Sequence, residues 1–171
     1  MKIAEQTSER HVLNVIVDNE AGILAKIAGL FTARGYNIDS LTVADISEDH
    51  AVSRITIVTR GPEPVIDQIR AQLERLIAVH KVIDLTEHGA HVERELALVK
   101  VAGKGEARVE ALRIAELFRA NVVDTTTSSF VFELTGSPAK LDSFIALMRE
   151  LGLVEVGRSG IVGMMRGAEQ D

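Results

Sequence analysis

Short apolar runs alternate with amphipathic segments along the chain. Four runs rich in apolar and β-branched residues predict strands, at 11–18, 38–46, 51–60 and 81–86. After Gly22, and again after Gly61 and Pro62, apolar residues recur at helical spacing and predict a helix. Gly35 stands where a left-handed residue commonly ends a helix. The first half of the chain is therefore predicted to follow the order βαββαβ.

The second half repeats this order at an offset of roughly 84 residues, which indicates an internal repeat. Strands are predicted at 96–101, 122–126, 129–135 and 153–156. One helix is predicted at about 106–119, and another begins at Ser137 and Pro138, a suitable N-cap and first-turn proline. Each half is predicted to be a four-stranded antiparallel sheet with two helices on one face, which gives an α+β protein of two domains.

The helices of each domain leave one sheet face uncovered. Residues 11–17 and 51–59 are more apolar than half-solvated strands require, so we predict that a second copy packs there. The glycine-spaced C-terminal end is predicted to be a strand that leads into a loose tail. The predicted boundaries are 10–86 for the first domain, 87–94 for a linker and 95–165 for the second domain.

Composition narrows the class of function. The chain is 46% apolar and 26% charged, which is typical of a globular protein, and its net charge of −6 does not favour attraction to nucleic acid. It has no cysteine, which excludes disulfides and thiolate chemistry and fits a reducing compartment. The sequence shows no secretory signal pattern and no apolar run of about 18 residues. We predict a cytoplasmic protein without a membrane or nucleic-acid partner.

The turn between the first strand and the first helix offers a candidate binding site. The first N–H groups of a helix have no internal partner, so those of Gly22, Ile23 and Leu24 suit a carboxylate. The side-chain amides of Asn19 and Asn37 suit an ammonium group or a carboxylate oxygen. No nearby side chain is a nucleophile or a base that titrates near neutrality. The pattern favours amino-acid binding without catalysis; the alternative is that Asn19 and Gly22 only shape a tight turn.

Two groups of short motifs resemble one known family. The first group is DNEAGIL at 18–24, GLF at 29–31, RGYNI at 34–38 and SLTV at 40–43. The second group is GAHVEREL at 89–96, IAELFR at 114–119 and RSG at 158–160. Together they resemble the ACT-domain regulatory small subunit of acetolactate synthase, also called acetohydroxyacid synthase. The resemblance extends from about residue 10 to residue 167.

The resemblance implies two ferredoxin-like domains, an N-terminal ACT domain and a C-terminal ACT-like domain. It implies a non-catalytic chain that activates a large catalytic subunit and makes it sensitive to feedback inhibition by branched-chain amino acids, valine first. The effector is expected between the ACT domains of two chains, so a homodimer is implied. Thiamine diphosphate, magnesium and FAD are expected on the catalytic partner and no cofactor on this chain.

The same resemblance assigns the effector site by position. Asn19 and Gly22 match residues of the effector loop, and Asn37 matches an asparagine that faces the ligand across the interface. Ile23, Leu24 and Ile38 complete the predicted set, with no catalytic residue and no metal ligand. Residues 93–95 are expected to pass the change on to the catalytic subunit. The sequence leaves open whether valine, leucine or isoleucine is the effector.

Other functions remain alternatives at this point. The same ACT fold could serve a stand-alone amino-acid sensor that acts on another partner. An RNA-recognition motif would use Phe130 and Phe132 for stacking, but the basic, glycine-rich lead-in is absent and core packing is the better interpretation. A phosphatase of the acylphosphatase type would need an arginine in the first loop, which has none. His88 and His91 lack a third metal ligand.

Overall fold

The computed structural model describes residues 9–168 and contains two antiparallel sheets. In chain order the elements are β1 (Glu9–Asp18), α1 (Ile23–Ala33), β2 (Ile38–Asp45), β3 (Val52–Gly61), α2 (Glu63–Leu73), β4 (Val79–Asp84), α3 (Leu85–His88), β5 (His91–Ala102), α4 (Gly105–Phe118), β6 (Asn121–Thr125), β7 (Ser129–Gly136), α5 (Pro138–Glu150), β8 (Leu153–Arg158) and β9 (Val162–Met165). Among the described residues, no helix is long and apolar enough to cross a membrane. The repeated βαββαβ order is confirmed, with α3 and β9 as additions.

The first sheet has the strand order β2-β3-β1-β4, so β2 is an edge strand. The central pair β1 and β3 is antiparallel, and its register runs from Glu9 opposite Gly61 to Asp18 opposite Val52. Alternate β1 residues point to opposite faces of the sheet. One face packs against the buried sides of α1 and α2 in a core that includes Leu13, Val15, Val17, Ile27, Phe31, Ile66 and Ile69.

Glycines mark both ends of α1. Gly22, the N-cap, has φ 86°, and Gly35, just beyond the helix, has φ 69°. Both values lie in the left-handed region that other residues rarely adopt. The N–H of Tyr36 donates to the carbonyl of Phe31 at 3.0 Å, which closes the last turn. The predicted helix termination at Gly35 is therefore confirmed by its backbone conformation.

The other face of the first sheet is covered in part by the C-terminal end of the same chain. Val12, Val58, Ile83 and Leu85 form a small core with Ile161. These apolar side chains are buried by the chain itself and do not require a second copy, so the packing of a second copy on this face stays a prediction. Apolar periodicity does not indicate that a segment about 150 residues further on returns to β1.

The chain divides into two compact units, one comprising the residues up to Val92 together with those from Ile161 onward, and the other comprising Glu93–Gly160. The second unit ends at Gly160, before the predicted boundary at 165, because Ile161 packs in the small core with Val12 and Val58 of the first unit. The predicted linker at 87–94 is also structured, since it holds the end of α3 and the start of β5. The strand predicted near the C-terminal end is confirmed as β9, and residues 169–171 of the predicted tail lie outside the described residues.

The second unit has the strand order β6-β7-β5-β8. Its helices α4 and α5 bury Ile114, Leu141 and Met148 against one face of the sheet. Phe132 is fully buried and meets Phe144 edge-on with ring centroids 6.0 Å apart, and Phe130 is 6% exposed. The predicted core packing of Phe130 and Phe132 is therefore confirmed, and these rings present no stacking surface for bases.

Candidate functional site

The turn that joins β1 to α1 is fastened to the β2–β3 hairpin by Asn19. The backbone N–H of Asn19 donates to the carbonyl of Ala51 at 2.8 Å, and its side-chain Nδ2 donates to the carbonyl of His50 at 2.8 Å. The second bond engages the amide nitrogen, so the amide oxygen is the group that could accept a hydrogen bond from an ammonium group. Asn19 thus does more than permit a turn, since it positions the start of α1 against the hairpin.

The N-terminus of α1 is uncapped. Gly22 is the N-cap residue, and among the described residues no side chain accepts a capping hydrogen bond from the first N–H groups of α1. The first turn of the helix contains no acidic residue. The N–H of Ile23 donates to the carbonyl of Glu20 over a long 3.4 Å. The first N–H groups of the helix and the positive end of its dipole therefore remain available to a carboxylate.

The glycine at position 22 is required by backbone conformation. A Cβ built on Gly22 would have no atom of residues 9–168 within 4 Å, so none of these residues excludes a side chain there. The left-handed φ of 86° is what disfavours other residues. As far as the described residues are concerned, the backbone at this glycine is open to close approach by a ligand or a second chain.

The three apolar residues of the predicted site have different environments. Ile23 is 6% exposed, with its side chain in the core, so only its backbone could contribute to a ligand site. Leu24 is 39% exposed at the same end of α1 and could contact an apolar side chain of a ligand. Ile38 packs at the margin of the core at the start of β2.

Asn37 lies at the opposite end of the first sheet from Asn19. Ile38, which follows Asn37, is opposite Thr59, and Asp18, which precedes Asn19, is opposite Val52. Val52 and Thr59 are seven residues apart on β3, which corresponds to about 23 Å. The structure therefore does not bring Asn37 together with Asn19 and Gly22 within one chain. A site that contains all three requires two chains.

The side chain of Asn37 belongs to a small polar network. Its Nδ2 donates to Asp39 Oδ1 at 2.7 Å, and Asp39 Oδ2 accepts from Arg60 Nε at 2.8 Å. The backbone carbonyl of Asn37 accepts from the hydroxyl of Thr59 at 2.6 Å. These bonds hold Asn37 at the outer end of the edge strand, where its amide is exposed.

A cavity of about 470 Å³ lies beside the start of α1 on the side of β4. Its lining includes Glu20, Lys26, Arg75 and Ile77, and of the predicted site residues it includes only Ile23. The apolar residues that predict the second helix include Ile77, whereas α2 ends at Leu73 and the side chain of Ile77 is fully exposed, so the sequence did not predict this cavity. Two of the lining residues form an ion pair, with Lys26 Nζ 3.2 Å from Glu20 Oε1.

Within the described residues, His11, Asp84 and Glu87 are the group of three whose potential metal-ligating atoms lie within 4.8 Å of one another. His11 Nδ1 is 2.7 Å from Asp84 Oδ2, and both residues are buried. Arg70 Nη1 donates to Glu87 at 2.9 Å and already balances that carboxylate. We therefore interpret the group as a buried His–Asp pair beside a surface ion pair.

Glu95 is held inside the second unit. Its carboxylate accepts from Arg158 Nε at 2.9 Å and from Nη2 at 2.6 Å, and Arg158 Nη1 donates to Asp142 at 2.7 Å. The hydrogen bonds from Arg158 to Glu95 are the main cause that raises the pKa of Arg158 above its usual value. Glu95 is 6% exposed, and its carboxylate joins β5 to β8. The role of residues 93–95 in passing the change to the catalytic subunit stays a prediction.

Comparison with known proteins defines the class. Residues 13–81 match the model of the ACT domain of the type found in the small subunit of acetohydroxyacid synthase, and residues 94–167 match the model of the small subunit of acetolactate synthase. The first unit thus contains an ACT domain, as the resemblance of the motifs around Asn19 and Gly22 implied. The two matches occur in the order and at the places that the motifs predicted.

Full-length relatives extend this result. The chain is 47% identical over 159 residues to the small subunit of acetolactate synthase isozyme 3 of Escherichia coli, covering 92% of this chain and 96% of the relative. It is 44% identical over 158 residues to the probable small subunit of Archaeoglobus fulgidus, covering 92% and 98%. The crystal structure of the small subunit from Thermotoga maritima superimposes with a TM-score of 0.84 at 36% identity, covering 94% and 99%. The chain belongs to the acetolactate synthase small-subunit family, and it is a regulatory rather than a catalytic subunit.

Proposed function

We propose that this chain activates a thiamine-diphosphate-dependent acetolactate synthase subunit and makes it sensitive to feedback inhibition by L-valine. The observation that carries the proposal is the uncapped start of α1, which Asn19 holds against the β2–β3 hairpin in a chain of this family. We assign thiamine diphosphate, magnesium and FAD to the catalytic partner, and none of them to this chain. The site of action is the cytoplasm.

The effector site is formed by two copies of the chain that pair through β2. This strand is the edge of the first sheet, and Val43 and Ile46, on it and just after it, are 46% and 51% exposed. An unpaired edge with apolar side chains is suited to pairing with a second copy. Antiparallel pairing about a twofold axis places the start of one β2 beside the end of the other.

This arrangement explains why the predicted residues are far apart in one chain. Asn37 stands at the start of β2, and the turn at Asn19 and Gly22 lies at the end of the sheet where β2 finishes. Antiparallel pairing therefore brings Asn37 of the second copy to the turn of the first. Each dimer then has two equivalent sites, each built from one turn and the opposite Asn37.

The chemistry of the site matches a free amino acid. The carboxylate of valine binds the first N–H groups of α1, next to Gly22, and its ammonium group donates to the amide oxygen of Asn19. Leu24 contacts the isopropyl group, while Asn37 of the second copy supplies a further donor and acceptor. Leucine and isoleucine share the carboxylate and the ammonium group, so the apolar contact decides among the three.

Inhibition requires that valine bind one state of the holoenzyme better than another. A difference of about 1–3 kcal/mol between the two states is typical of such coupling. Valine that bound both states equally well would fill the site without any effect on the catalytic subunit. The chain thus acts as a sensor: valine shifts the equilibrium between two states of the holoenzyme, and the catalytic subunit is less active in the state that valine favours.

Reconstitution with a catalytic acetolactate synthase subunit tests the proposal. The activity of the catalytic subunit is measured alone, with this chain, and with this chain and L-valine or D-valine. We expect this chain to raise the activity and L-valine alone to lower it again. Activation without any response to L-valine, L-leucine or L-isoleucine would contradict the sensor role, and no activation would contradict the regulatory role with that catalytic subunit.

A further inference from the structure

The segment Ile161–Met165, here called the C-terminal strap, is bonded to the edge strand of the first sheet. The N–H of Ile161 donates to Ser40 Oγ at 2.9 Å. The hydroxyl of Thr42 donates to the carbonyl of Ile161 at 3.0 Å. Ser40 and Thr42 are two and four residues beyond Ile38 on β2, so the strap is joined to the strand that carries half of the proposed effector interface.

The next part of the strap is fixed to β1. The carbonyl of Gly163 accepts from Asn14 Nδ2 at 3.0 Å, and Asn14 Oδ1 accepts from the hydroxyl of Thr56 at 2.8 Å. Asn14 is fully buried, so this chain of bonds is shielded from water. A Cβ on Gly163 would lie 2.6 Å from Leu85 Cδ1, which shows how closely the strap packs on the first unit.

The residues just before the strap are fixed to the second unit. The N–H of Ser159 donates to the carbonyl of Leu96 at 3.0 Å, and the N–H of Leu96 donates to Ser159 Oγ at 3.0 Å. Arg158 is held by Glu95 through two hydrogen bonds. Only Gly160, with φ 87°, separates this attachment from Ile161.

The chain crosses between the units at two places, between Val92 and Glu93 and between Gly160 and Ile161. The first crossing lies within β5, which is not a neighbour of β2 in either sheet. The second crossing leads directly into the bonds with Ser40 and Thr42. The short connection from β2 to the second unit through this crossing therefore consists of these two hydrogen bonds and the backbone from Ile161 to Gly160.

We propose that the C-terminal strap transmits effector binding from β2 to the second unit, through the hydroxyls of Ser40 and Thr42 and the backbone of Ile161. This inference rests on the proposed function, because it takes β2 as part of the effector interface. Hydroxyl-to-backbone bonds are directional, so a shift of β2 either moves Ile161 with it or breaks these bonds. Ser40 and Thr42 are positioning residues that do not touch the effector.

The test is amide hydrogen exchange of the full chain with and without L-valine. The Ser40→Ala/Thr42→Val variant removes both hydroxyls at nearly constant volume, and the Ser40→Thr/Thr42→Ser variant keeps both as a matched control. In the wild type, L-valine should slow exchange in residues 19–24, and also in residues 95–99 by about fivefold or more, the lower end of typical coupling. In the Ser40→Ala/Thr42→Val variant, L-valine should still slow exchange in residues 19–24, but its slowing of exchange in residues 95–99 should fall below about twofold. The control variant should respond as the wild type does.

The outcomes separate this inference from the proposed function. If L-valine changes nothing at residues 19–24 of the wild type, the proposed effector site is wrong. If residues 95–99 respond equally in the wild type and the Ala/Val variant, the strap does not transmit and the inference is overturned. If L-valine no longer slows exchange in either segment of the Ser40→Ala/Thr42→Val variant, the two hydroxyls are needed for valine binding. That result also overturns their role as transmitters.

Discussion

The Gly22→Asp substitution separates binding from folding at the proposed effector site. Gly22 has φ 86° and ψ −3°, a left-handed conformation that aspartate tolerates better than most residues. An added Cβ would meet no atom of the described part of the chain within 4 Å. The strain of about 1 kcal/mol is offset by about 0.3–1 kcal/mol, because a negative charge is favourable at a helix N-terminus. We therefore expect the free energy of unfolding to change by less than about 1 kcal/mol.

The effect on valine binding should be larger. The carboxylate of Asp at position 22 would stand within about 5 Å of the valine carboxylate bound at the same N–H groups. At an effective dielectric constant between about 80 and 20, the repulsion is about 0.8 to 3.3 kcal/mol. The affinity for L-valine should therefore fall by about 4-fold to about 250-fold.

Calorimetric titration with L-valine measures this loss, and urea unfolding checks the stability. The matched control is Gly22→Asn, which has nearly the same shape and backbone tolerance but no charge. Asparagine should weaken binding clearly less than aspartate. If both variants lose affinity equally, the charge argument is refuted, and if Gly22→Asp binds L-valine as the wild type does, the assignment of the carboxylate to the start of α1 is refuted.

Two further predictions concern stability, measured as the free energy of unfolding in urea. Arg158→Met leaves the buried carboxylate of Glu95 without its partner and should cost roughly 2–3 kcal/mol; an unchanged midpoint would contradict the role of this pair. Gly152→Ala places a Cβ 2.2 Å from the carbonyl oxygen of Ala102 at φ 101° and should cost about 3 kcal/mol, whereas Gly167→Ala, at φ 103° with open space, should cost at most about 1–2 kcal/mol. Equal losses at the two glycines would show that contact with the backbone oxygen is not the cause.

Much of the fold could be predicted because it depends on local patterns. The strands and helices follow from apolar periodicity, and the ends of α1 follow from Gly22 and Gly35. The C-terminal strap could not be predicted in this way, because Asn14 and Gly163 are 149 residues apart. One signal was present: a polar residue, Asn14, in the middle of an otherwise apolar strand needs a buried partner.

The site was predictable in part. The motifs identified Asn19, Gly22 and Asn37, but periodicity gives no distance between them. Their separation follows from topology, because α1 returns the chain to the opposite end of the sheet before β2 begins. The cavity beside Arg75 was missed because the end of α2 had no clear stop signal between Leu73 and Ile77. Local signals thus gave the candidate groups, and the strand register shows that one chain does not bring them together.

Complementation between two inactive variants tests the central claim, a site shared by two chains, most directly. Gly22→Asp damages the turn, Asn37→Ala damages the opposite strand, and each homodimer should bind L-valine poorly. In an equimolar mixture that has been allowed to exchange subunits, half of the dimers carry one turn and one Asn37 that are both intact and face each other. Titration should then recover about a quarter of the wild-type sites at wild-type affinity. Recovery of no sites, after exchange has been confirmed, would contradict a site built from two chains.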